Sequence, residues 1–204
     1  MVMNMRYLKE KTQIVYEVNK SQFIAILYPL HSLDDLETSL EDARLTYPKA
    51  NHYCYASLFG NHQEQQQASD DGEPSRTAGI PILEVLKHHD VTDILCVVVR
   101  YFGGIKLGSG GLVRAYTKAA ADAMKIAKFY EKIYLKTYKI TFSYHVTLEI
   151  DRYLIDKADI LDKTYTDIVS YDLALKQGQE DLTDIKHLLI DIKEMEPRLC
   201  YVDA

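Results

Sequence analysis

Five of the chain's nine glycines fall between Arg100 and Arg114, in the run RYFGGIKLGSGGLVR. Glycine at this density lets the backbone take positive φ and come close to another object. Before the run lies Ile94–Tyr101, almost wholly apolar, as expected of a strand covered on both faces. After it, Leu112–Lys128 places Leu112, Ala115, Ala119, Ala123 and Ile126 on one face of a helix. Alanines at those positions permit close approach to a sheet. The chain must therefore build a layered α and β structure around a tight strand–loop–helix connection.

The rest of the N-terminal half alternates in the same way. Thr12–Glu17 and Ser21–Tyr28, separated by Asn19-Lys20, read as a β-hairpin. Ser32 offers an N-cap to a helix carrying Leu33, Leu36, Leu40 and Leu45, closed by Pro48. His52–Phe59 reads as a strand. Residues 60–76 read as one long loop, with a glutamine-rich part at Asn61–Gln67 and an acidic turn at Asp70–Pro74. Thr77 is the expected cap of a helix running to His89, with Pro81 tolerated in its first turn.

Residues 131–204 read as a second unit. Strands are expected at Lys132–Tyr144, Ile160–Thr166, Ile168–Lys176 and Leu199–Val202, and helices at Leu148–Lys157 and Leu182–Lys193. That order, βαββαβ, is the ferredoxin-like split βαβ. The expectation is an α+β protein of two domains, residues 1–129 and 130–204, meeting near Phe129-Tyr130.

Charge narrows the partners. The 204-residue chain carries 24 Lys+Arg against 30 Asp+Glu, a net of −6 that argues against indiscriminate coating of nucleic acid. Residues 1–128 hold 14 basic and 15 acidic side chains, whereas residues 129–204 hold 10 and 15. A basic patch must be local and N-terminal. Cys54, Cys96 and Cys200 form no CxxC pair, which leaves neither a zinc ribbon nor a redox dithiol. Met1–Lys11 has no signal-peptide core and no apolar stretch is long enough to span a bilayer, so a cytoplasmic protein without membrane contact is expected.

The glycine run ends at a helix start, where free N–H groups and the helix dipole favour an anion. Arg100, Lys106, Arg114 and Lys118 supply positive charge, and the last two share a helix face. A phosphate cradle is one reading; a plain strand–helix turn with solvated or ion-paired cations is the other. The spacing is neither GxGxxG nor a Walker A loop. Leu107–Gly111 before a helix is, however, similar to the phosphate loop of the galactokinase and homoserine kinase superfamily.

Val97–Tyr116 (VVVRYFGGIKLGSGGLVRAY) resembles the signature of the YigZ/IMPACT family. Asn19–Ala25 resembles the family's early strand, Ala50–Ala56 its His-x-Cys strand, and Asp70–Pro81 its DDGEPSGTAG block. The C-terminal half is similar to the small ferredoxin-like domain of bacterial members by layout more than by motif. One residue departs: Arg76 stands where the family usually has glycine. The resemblance implies an N-terminal α/β sandwich similar to domain IV of elongation factor G and a C-terminal domain similar to its domain V. It further implies translation regulation, RNA or ribosome contact or a protein partner in the translation machinery, and no established enzyme activity, cofactor or metal. The site expected from the residues and the resemblance together is Arg100, Tyr101, Gly103, Gly104, Lys106, Gly108, Gly110, Gly111, Arg114 and Lys118, with Tyr101 as a base-stacking platform. Asp70, Asp71, Glu73 and Arg76 form a loop facing it. The alternative is an enzyme that cradles a nucleotide or phosphometabolite on the same glycine loop.

Other chemistry is weaker. His52 and Cys54 share a strand face but bring no third ligand and no orienting carboxylate. Asp70, Asp71 and Glu73 suit either Mg²⁺ over a phosphate or pairing with Arg100 or Lys106. His88-His89 are best read as a helix end.

Overall fold

The computed structural model describes residues 5–179 and 181–204. The chain divides into two compact units, residues 1–132 with 202–204, and residues 133–201. Both mix helix and strand, so the molecule is α+β.

The first unit contains β1 (Arg6–Leu8), β2 (Thr12–Val18), β3 (Ser21–Pro29), α1 (Asp35–Thr46), β4 (His52–Phe59), β5 (Gln65–Ser69), α2 (Gly79–His88), β6 (Val91–Thr92), β7 (Ile94–Tyr101) and α3 (Gly108–Ile126). Strand β8 (Phe129–Phe142) then carries the chain from the first unit into the second. The main sheet has the order β2-β3-β7-β4-β5 and is antiparallel throughout. Asn19 and Lys20 both have positive φ, 47° and 61°, and so form the two-residue hairpin turn between β2 and β3. β7 is central, and Ile94–Val99 are all fully buried.

Side-chain alternation along the sheet makes two cores. Phe23, Ala25, Cys54, Ala56, Cys96 and Val98 pack with α2 and α3. On the opposite face Ile24, Ile26, Val97 and Val99 pack with Leu40 and Ala43 of α1. Ala115, Ala119 and Ala123 lie fully inside the first core, whereas Ile126 is half-exposed. Separately, β1 runs parallel to β6 and antiparallel to residues 129–131 of β8.

Several local expectations are corrected. Ser32 does not cap α1: its N–H and that of His31 are bonded instead to the Asp35 carboxylate, and the helix starts at Asp35. Leu33 and Leu45 are exposed, because the buried stripe of this short helix is Leu40 and Ala43. Thr77 does not cap α2 either, since its hydroxyl donates to the Pro74 carbonyl. The glutamine-rich part of the expected loop is strand β5, paired to β4 from Tyr55↔Ser69 to Phe59↔Gln65. An edge strand whose side chains face water shows no apolar alternation.

The second unit contains most of β8, α4 (Thr147–Leu154), β9 (Ala158–Tyr165), β10 (Val169–Leu175) and β11 (Leu189–Asp203), the last ending beyond the unit at Val202–Asp203. Its strand order, β11-β8-β10-β9, is 4-1-3-2 in chain order. Val169, Tyr171, Leu173 and Leu175 alternate into a core with Ile150 and Leu154 of α4. The helix expected over Leu182–Lys193 is absent. A 3-10 turn occupies Thr183–Leu188 and strand β11 begins at Leu189. Leu182, Ile185 and Leu188 are three apart, a spacing that suits a 3-10 turn as well as a helix. Among the described residues no helix is long and apolar enough to cross a membrane.

Candidate functional site

Three neighbouring strands place Phe23, Arg100 and His52 side by side, because Arg100 of β7 is in register with Phe23 of β3 and His52 of β4. All three lie at the end of the face that α2 and α3 cover. Arg100 is only 6% exposed. Its Nη1 donates to Glu73 Oε1 at 2.6 Å, and Tyr116 of α3 donates its hydroxyl to the same oxygen at 2.7 Å. His52 Nε2 lies 3.9 Å from that oxygen. Arg100 Nε is buried with no hydrogen-bond partner. A buried donor left unpaired is costly, so this guanidinium is only partly satisfied by the protein.

The acidic turn delivers one carboxylate, that of Glu73, to this cluster. Asp70 Oδ1 accepts the N–H groups of Ala78 and Gly79, and Oδ2 accepts that of Arg76. Burial opposes ionisation of Asp70, but these three donors outweigh it and hold the carboxyl below its ordinary range. Asp70 therefore does the capping expected of Thr77. Asp71 accepts the Tyr53 N–H, and its carbonyl meets His52 Nδ1 at 2.7 Å. Arg76 is exposed at φ 63°, so the turn keeps the left-handed conformation that a glycine would take freely. Asp70 and Asp71 are thus spent on backbone, and only Glu73 faces the predicted site. Among the described residues no group of three or more His, Cys, Asp or Glu could hold a metal.

Cys54 is buried, and its single S–H has the Asp70 carbonyl at 2.9 Å and the Tyr116 hydroxyl at 3.3 Å within reach. Burial pushes its thiol up to about 12, the reverse of what a nucleophile needs. His88 ends α2 and His89 follows it, with the Arg6 guanidinium bonded to the His89 carbonyl.

The glycine loop leaves β7 under tight constraint. Phe102 N–H donates to Asn51 Oδ1 at 2.8 Å, and Gly103 N–H to Ser21 Oγ at 3.0 Å. A Cβ on Gly103 would collide with the Lys20 carbonyl and the Ser21 nitrogen, so only glycine fits against the hairpin. Gly104 and Gly108 take positive φ, 85° and 70°. Helix α3 then starts with no side-chain cap, leaving its first-turn N–H groups at Gly108–Gly110 free for a ligand or water. Gly111 sits one residue further along the same helix.

A groove of about 390 Å³ opens here, bordered by Glu73, Arg100, Phe102, Lys106, Gly108 and Ser109. Glu73, Arg100, Lys106 and Gly108 are the predicted residues that it brings together. Arg114 and Lys118 are not in its lining. Arg114 is exposed on α3, while Lys118 is ion-paired with Asp122 and lies over the Tyr16 ring. Tyr101 points to the opposite face of the sheet from Arg100, and its hydroxyl donates to the Pro48 carbonyl. The exposed aromatic in the groove is Phe102, which the sequence reading missed. Strand alternation from Arg100 was the signal that could have found it. A larger depression of about 640 Å³ between α2 and α3, with Ile80, Val85, Val113 and Arg76 in its lining, is mostly apolar and holds no buried charge. The smaller groove has the chemistry.

Comparison with known proteins gives consistent kinship. The family described as Impact N-terminal domain matches residues 19–124. The IMPACT family member YvyE of Bacillus subtilis is 32% identical over 194 residues, covering 92% of this chain and 89% of its own length. The IMPACT family member YigZ of Escherichia coli is 38% identical over 143 residues, covering 69% and 70%. A crystal structure described only as that of a hypothetical protein is 34% identical, with a TM-score of 0.61 over 85% of this chain and 86% of that one.

Proposed function

The chain belongs to the IMPACT family, and from that premise we propose that it is a cytoplasmic regulator of translation whose first unit binds RNA phosphates, free or on the ribosome. The observation that carries this reading is the uncapped start of the 19-residue helix α3 beside exposed Lys106 and a buried, under-bonded Arg100. Helix N-termini of this kind receive phosphate oxygens. Arg114, in the second turn of the same helix and exposed, extends the positive surface outside the groove. The similarity to domains IV and V of elongation factor G, implied by the resemblance, belongs to the same proposal.

The enzymatic alternative draws less support from the cluster. Glu73 is committed to Arg100 and Tyr116, and the Cys54 thiol is far from ionised at neutral pH. A carboxylate serving as general base must be free to take a proton, which Glu73 is not. Co-sedimentation of the full chain with ribosomes, compared with the Lys106→Ala/Arg114→Ala variant, tests the proposal. Co-sedimentation lost in the variant is expected; equal amounts pelleted by both would refute it.

A further inference from the structure

The groove at the start of α3 has an aromatic wall as well as a cationic one. Phe102 is 44% exposed. Its ring lies against the Arg100 guanidinium, with Cζ 5.4 Å from the centroid, and Phe23 lies at the same distance from that carbon. The bonds from the Phe102 and Gly103 N–H groups to Asn51 and Ser21 fix the backbone that presents this ring. The ring therefore needs little ordering before something stacks on its open side. Lys106 and the uncapped start of α3, at Gly108 and Ser109, line the same groove.

Two observations independent of the helix start point to a ligand. Arg100 is more than nine-tenths buried, lines the groove and has an unpartnered Nε. The groove's charged lining, Arg100, Lys106 and Glu73, sums to one positive charge, with Glu73 already holding two donors. A volume of about 390 Å³ is near the small end of ligand sites, roughly 300–1,000 Å³. That suits one nucleotide and not two.

We infer that the groove takes a single unstacked nucleotide, its base laid on Phe102 and its phosphate on the first turn of α3 beside Lys106 and Arg100. The inference rests on reading this groove as the RNA contact, and it adds the recognised unit. Aromatic stacking tolerates any base, because every base has a π-face. The phosphate fixes orientation without reading sequence. A nucleotide held in a duplex cannot offer its base face, so single-stranded segments or chain ends are selected. A free nucleoside monophosphate carries the same chemistry.

The test uses the full chain, titrated by calorimetry with AMP, adenosine, inorganic phosphate, a single-stranded RNA hexamer and the same hexamer in a duplex. AMP should bind at least tenfold more tightly than adenosine or phosphate. Phe102→Ala should weaken AMP and the single-stranded hexamer by about fivefold to a hundredfold while leaving phosphate binding unchanged. Phe102→Trp should retain binding, and an unchanged thermal melt shows that each variant folds. A hexamer tighter than AMP, with the same dependence on Phe102, assigns the site to RNA. AMP binding with no hexamer or ribosome binding would sink the RNA reading and leave a free-nucleotide site. Hexamer binding indifferent to Phe102, or to strandedness, would overturn the inference while the RNA reading stands. No binding of AMP or hexamer that depends on Phe102 overturns it outright.

Discussion

Removing the carboxylate of Glu73 should unsettle the first unit more than almost any other single polar change. The Glu73 side chain is 3% exposed and that of Arg100 7%. Alanine at position 73 strands a cation in that environment and takes one acceptor from the hydroxyl of fully buried Tyr116. Breaking a buried pair by deleting one partner costs about 3–5 kcal/mol. The Tyr116 hydroxyl keeps a contact of 3.3 Å with Cys54 Sγ, which limits the added loss, so the total expected for Glu73→Ala stays at about 3–5 kcal/mol. Glu73→Gln also leaves the Arg100 charge uncompensated but keeps an acceptor for it, for a smaller cost of about 1–3 kcal/mol. Urea unfolding gives these differences, with amide exchange in β3 and β7 as the local readout. The double change Glu73→Leu/Arg100→Met should recover much of the loss, since an apolar pair of similar volume replaces a buried ion pair with little penalty. A cost below about 1 kcal/mol for Glu73→Ala, or a double variant as unstable as the sum of the singles, would refute the assignment of a coupled buried pair.

Gly103→Ala should cost at least about 3 kcal/mol, because its Cβ meets hairpin backbone and not a movable side chain, and a thermal melt unchanged from wild type would contradict that packing. Arg76→Gly should stabilise by roughly 0.5–1 kcal/mol, the left-handed penalty less the extra unfolded-state entropy of glycine, and a loss in urea would argue against it. Asp70 has a lowered pKa in the folded protein, so its contribution is present at neutral pH and fades as pH falls through the folded value, below the ordinary 3.8. The stability gap between wild type and Asp70→Asn, measured by urea midpoints at several pH values, should therefore close in acid; a gap that widens would contradict the capping role.

What was legible in the sequence followed from periodicity and turn chemistry. The apolar run Ile94–Val99 reads as a buried central strand because both its faces carry core, and Asn19-Lys20 reads as a turn because two strand-like runs flank it. Tertiary choices were hidden. β5 carries Gln65, Gln66 and Gln67 and is strand only because β4 pairs with it. Leu182, Ile185 and Leu188 look helical, yet β11 starts immediately after them. Within the site, Lys106 and the glycines were placed by local pattern. Pairing of the acidic turn with Arg100 or Lys106 was one of the two sequence readings, and it is Glu73 that meets Arg100. The Lys118–Asp122 pair and the turning of Tyr101 away from Arg100 depend on side-chain direction. Only the last could have been read from strand alternation, which also puts Phe102 in the groove.

The central claim, that the first unit meets RNA through phosphate contacts at the start of α3, is tested most directly by binding a single-stranded RNA to the full chain across a salt series. Lys106 and Arg114 are the exposed cations there without an ion-pair partner among the described residues. Two such contacts predict a log–log slope of about −1.4, since each contact on a single strand contributes about −0.7. Lys106→Gln should bring the slope to about −0.7, whereas Lys118→Gln should leave it unchanged because Lys118 is held by Asp122. Binding that does not respond to salt, or a slope that Lys118→Gln flattens as much as Lys106→Gln does, would contradict the account.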